Sequence, residues 1–134
     1  MTLALIKGTG IWLLIMLAAV ANGMLREALL EPALGTAAAL PLSGILLMLI
    51  IFAMSWLFAP VIGRTGTSTW LAVGLLWVTL TLAFEYLFGH FVAGIPWHEI
   101  SRVFDVRGGN LFSLALLATC LSPWLAARLR GLVN

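Results

Sequence analysis

Twelve formal charges are all that interrupt the apolar character of this 134-residue chain, and they leave four long stretches with none: Gly8 to Leu25, Pro32 to Gly63, Thr65 to Phe84 and Gly108 to Ala127. A bilayer core of about 30 Å takes roughly 20 helical residues, so each stretch is long enough to cross once. The second is trimmed by Pro32, Gly35 and Pro41 before it and by Pro60 and Gly63 after it. Spans are therefore predicted near 8–28, 40–59, 69–90 and 110–127. A strand-built barrel needs segments of about ten residues that alternate apolar and polar, whereas the run from Ile45 to Phe52 is apolar at every position. The expected fold class is all-α: one polytopic four-transmembrane-helix bundle over residues 1–134, with a short interfacial helix between spans three and four.

Composition closes off the other classes. Only 9% of residues are charged and 63% are hydrophobic, against about 25% charged in soluble domains, so lipid has to solvate the outside of the fold. Disorder, a disulfide-built module and nucleic-acid binding all need charge or cysteines that this chain lacks. Lys7, the apolar run and Ala19-Val20-Ala21 imitate a cleavable signal peptide, but Asn22 through Leu30 continues a helix-compatible pattern.

Four spans put both termini on one side, and the charges then sort by face. Lys7, Arg64, Arg128 and Arg130 share a side without any acid, while Arg26, Arg102 and Arg107 share theirs with Glu27, Glu31, Glu99 and Asp105. The basic excess of the first side predicts cytoplasmic termini. The polar chemistry is thus gathered at the opposite, periplasmic end.

Within that end Glu85 stands out. At a rise of about 1.5 Å per residue it lies roughly 24 Å in from Thr69, and Asn22 lies roughly 21 Å in from Gly8, so the two reach similar depth. Arg26 follows one turn beyond Asn22 on the same face. A lone ionised Glu near hydrocarbon costs on the order of 2–3 kcal/mol even by insertion scales, so it should find a partner or keep its proton. Asn22 and Arg26 are the partners at the right height, and Thr81, one turn before Glu85, can offer a hydroxyl. The alternative is that Glu85 and Arg26 form a buried pair that fixes helix packing.

The connection after the third span reads as a stop and a restart. Pro96 suits the first turn of a helix over about 96–105, with Trp97, Ile100 and Phe104 on one side and His98, Arg102 and Asp105 on the other. Trp97 is expected to anchor it at the interface. Arg102, Asp105 and Arg107 would form the outer rim of the polar site, with Gly108-Gly109 and Asn110 leading into the fourth span. His90 and His98 match no metal or haem spacing, so no metal and no cofactor is expected. Thr119, Ser122, Ala19, Gly23, Ala39 and Ser43 read as close helix packing.

The stretches Asn22 to Pro32, Leu80 to Gly89 and Phe104 to Gly109, with the Ala127-Arg128-Leu129-Arg130 ending, resemble a family of small four-span bacterial inner-membrane proteins. The likeness covers nearly the whole chain. It implies the architecture and a bacterial inner-membrane setting, and it brings no activity. The functional expectation rests on the residues: a non-enzymatic membrane protein whose polar end binds a small polar solute or a lipid headgroup, in the service of transport or of a partner complex. The expected partners are membrane lipid and either a second copy in a homo-oligomer or another membrane protein. A structural or assembly subunit is the second reading, and a membrane enzyme on lipid-linked substrates, with Glu85 or His90 as acid-base group, the third.

Overall fold

The computed structural model describes residues 1–100 and 112–134, and among these the chain is helical apart from its turns. Three helices are long and apolar enough to cross a membrane: α1 (Thr2–Leu34), α2 (Thr36–Ile62) and α3 (Thr67–Val92). A short turn of helix, α4 (Trp97–Ile100), follows, and the apolar α5 (Phe112–Leu129) ends the fold. The described part of α5 rises about 27 Å. The strong pairings are α1 with α2 and α3, and α5 with α2 and α3, so α1 and α5 occupy opposite corners of a four-cornered bundle.

The helices outrun the expected spans because prolines do not stop them where the sequence suggests. α1 continues through Arg26–Leu30 as a wide turn, with the Glu31 N–H bonded to the Arg26 carbonyl, and carries Pro32 inside its last turn. A single residue, Gly35, then reverses the chain at φ +82°, a left-handed conformation that favours glycine. Pro41 and Pro60 lie inside α2 rather than at its ends. Pro60 has no N–H to give to the carbonyl of Trp56, and the Nη1 of Arg130 donates to that carbonyl at 2.7 Å instead.

Tryptophans and small residues hold the bundle. Trp12, Trp70 and Trp77 are buried, and the Trp77 indole donates to the Gly8 carbonyl at 2.8 Å. Gly74 lets α3 rest directly on α5, since a Cβ there would strike the Cys120 carbonyl. Ala39, Ser43, Thr119 and Ser122 are buried as packing residues should be. Ala19 and Gly23 line a cavity, as the buried Ser43 also does, and a Cβ at Gly23 would meet nothing within 4 Å. The outer surface carries Leu13, Leu17, Leu49, Leu57, Leu75 and Leu117 exposed, an exterior suited to hydrocarbon.

One end is basic. Arg128 lies over Trp124 and Arg130 over Trp56, each 5.4 Å from the ring centroid. The last residues clip to the α2–α3 turn through Thr65 N–H to Leu132 O (3.1 Å), Asn134 N–H to Thr65 O (2.9 Å) and Arg64 Nε to Asn134 Oδ1 (3.0 Å).

Candidate functional site

At the opposite end α1, α2 and α3 part around a cavity of about 310 Å³. Asn22 and Arg26 come to it from α1, Ser43 and Leu47 from α2, and Glu85 and Phe88 from α3. The wide turns of α1 and α3 begin at Arg26 and at Phe88, both on the cavity wall. Such one-residue expansions of a helix recur at functional sites.

Asn22 is 7% exposed, and its Nδ2 donates to the Ser43 carbonyl across the α1–α2 interface at 3.0 Å. That bond fixes the amide, because the other orientation would set two oxygens against each other. The Oδ1 is left buried with no hydrogen-bond partner. One turn on, Arg26 Nε is also buried and without a hydrogen bond. Its nearest carboxylate is Glu31 Oε1 at 3.8 Å, an ion pair too long for a hydrogen bond. The pairing follows from the backbone: the wide turn closes over residues five apart and brings Glu31 onto Arg26.

Glu85 faces this cavity with Asn22 and Arg26, as the depth arithmetic requires. Among the described residues, however, the ion pair of Arg26 is with Glu31, and the alternative reading of a buried Arg26–Glu85 pair finds no contact within 4 Å. Thr81 is a second departure. Its Oγ1 accepts the Trp12 indole N–H at 3.0 Å, and it does not line the cavity. Arg102, Asp105 and Arg107, with the remainder of the expected 96–105 helix, Gly108-Gly109 and Asn110, lie outside the described residues.

The segment after α3 folds back against it and adds to the cavity wall. The Ile95 N–H bonds the Gly89 carbonyl at 2.8 Å, and His90 Nδ1 donates to the Ile95 carbonyl at 3.0 Å, so Ala93 and Ile95 join the wall. Trp97 stacks on His90, with centroids 3.9 Å apart and planes 14° apart, while staying half exposed. Ile100 packs on Gly89, where a Cβ would come within 3.2 Å of it. His90 is thereby a structural latch. Among the described residues no three His, Cys, Asp or Glu side chains gather as a metal site would require.

Sequence reasoning missed the α2 wall. Ser43 and Gly44 are the small pair in a run of large apolar residues, and that break in size is the available signal; the sequence reading takes Ser43 as helix packing and does not single out Gly44. Chemically the site offers an unpaired acceptor, an unpaired donor on a cation and a carboxylate, set among Met16, Leu47, Phe84 and Phe88. No family model, curated protein or solved structure matches the chain, so its function has to come from this geometry.

Proposed function

We propose that the chain is a four-span protein of the bacterial inner membrane, with both termini cytoplasmic, whose cavity at the periplasmic end binds a small polar solute or a lipid headgroup without chemical conversion. The observation that supports this reading is that Asn22 Oδ1 is buried without a hydrogen bond and Arg26 Nε has only its long contact to Glu31, both residues lining a cavity that also holds Glu85. A polar cluster serving only as helix glue is expected to satisfy itself, since each unmet buried polar group costs about 1–3 kcal/mol. A binding site keeps such groups for its ligand. A protomer of this size has little room for a private pathway, so transport by it would call for a homo-oligomer or a membrane-protein partner.

Native mass spectrometry of protein purified in mild detergent tests the reading, with Asn22→Leu as the comparison. The substitution removes the unmet acceptor along with one hydrogen bond of about 1 kcal/mol, so thermal stability should change little. The wild type should carry a bound polar molecule that Asn22→Leu loses. An adduct retained in both Asn22→Leu and Glu85→Gln would place binding elsewhere and end the proposal.

A further inference from the structure

The wall that separates the polar cavity from the outside of the bundle is thin. Two apolar furrows, of about 430 and 580 Å³, run along the α1–α3 seam with Trp12 and Phe84 common to both. Leu13 and Leu17 border the first, and Ala83, Leu87 and Phe91 border the second. Met16, Val20 and Phe84 line the first furrow and also the cavity; Phe84 and Phe88 do the same for the second. From Val20 to Trp12 the first furrow descends about 12 Å along α1, away from the charged end and toward the middle of the helix. A polar chamber at the end of the bundle therefore adjoins an apolar furrow running inward from it, the two divided only by the side chains of Met16, Val20, Phe84 and Phe88.

That is the division of an amphiphile into head and chain. The unmet groups narrow the head. Arg26 Nε needs an acceptor, which a phosphate supplies. Asn22 Oδ1 needs a donor, which a quaternary ammonium cannot give and a primary ammonium can. Glu85 in the wall, with Glu31 beside Arg26, opposes a head of net negative charge and favours one that brings its own cation. We infer that the cavity and furrow together bind a zwitterionic glycerophospholipid with a primary-ammonium headgroup, its phosphoammonium head between Asn22, Arg26 and Glu85 and one acyl chain along the α1–α3 seam. A second copy of the chain seated in the furrow would cover apolar surface but would leave the buried donor and acceptor unmet. The inference rests on the cavity being a binding site, as proposed above.

The test uses the full chain in detergent micelles doped singly with dioleoyl-phosphatidylethanolamine, -phosphatidylcholine or -phosphatidylglycerol, and water-soluble glycerophosphoethanolamine as a probe of the head alone. Bound fraction is read by native mass spectrometry and stability by thermal unfolding. Phosphatidylethanolamine should be retained at least tenfold over the other two lipids. Leu17→Trp fills the furrow from an exposed position that does not touch the cavity; it should cut phosphatidylethanolamine retention at least tenfold and leave glycerophosphoethanolamine unchanged. Asn22→Leu should weaken both. Equal retention of the three lipids, or phosphatidylethanolamine binding indifferent to Leu17→Trp, would overturn the lipid assignment while Asn22-dependent glycerophosphoethanolamine binding left the cavity reading standing. A dimer that Leu17→Trp dissociates, with no lipid bound, would overturn it in favour of a second copy. Absence of any Asn22-dependent binding would remove both.

Discussion

Asn22 shows how much a single side chain can report. Its depth was legible because helical rise is a constant, and that alone placed it beside Arg26 and Glu85 on one cavity. What rise cannot give is rotation. Thr81 sits one turn from Glu85 in sequence, yet its hydroxyl oxygen serves Trp12, because α3 turns that position toward the α1 contact. Thr81→Val should therefore act on stability, leaving the Trp12 indole without an acceptor at a cost of about 1–2 kcal/mol, and leave ligand retention intact. Thermal unfolding beside native mass spectrometry separates the two effects; binding lost at unchanged stability would return Thr81 to the site. Ser43 was hidden for a related reason. α2 is apolar on every side, so nothing in its pattern says which face turns inward.

At the scale of elements, helical character was legible and helix ends were not. The prolines read as stops in the sequence, but a helix can keep them when other groups meet the freed carbonyls. α2 shows the device: Pro60 leaves the Trp56 carbonyl without its N–H, and Arg130, more than seventy residues away, provides the donor. The wide turn at Arg26–Leu30 is a second case, where an i to i+5 closure chose Glu31 over Glu85 as the neighbour of Arg26. No periodicity in the sequence announces it. Arg130→Ala should lower stability by about 1 kcal/mol in the wild type. In a Pro60→Ala background, where the backbone N–H is restored, the same change should cost much less. Equal losses in both backgrounds, measured by thermal unfolding, would mean that Arg130 acts through its stacking on Trp56 and not through the carbonyl.

For the whole molecule, the segregation of charge is the property that joins fold to function. Arg64, Arg128 and Arg130 gather with tryptophans at one end, and the polar cavity lies at the other. If the basic end faces the cytoplasm, single cysteines at Gly94 and Gly66 in a Cys120→Ser background should differ in intact cells. An impermeant thiol reagent should label the first and spare the second, and the reverse pattern would invert the orientation. The central claim is that Glu85 belongs to a site and is not one half of a staple. A thermodynamic cycle over Glu85→Gln, Arg26→Gln and the double variant, read by thermal unfolding beside retention of the bound polar molecule, tests it most directly. With no contact within 4 Å between the two residues, Glu85→Gln should leave the fold standing and the double variant should recover little, while each single variant loses the bound molecule. Strong destabilisation by Glu85→Gln that the double variant recovers, with no bound molecule in any of the four proteins, would contradict the claim and leave a structural pair.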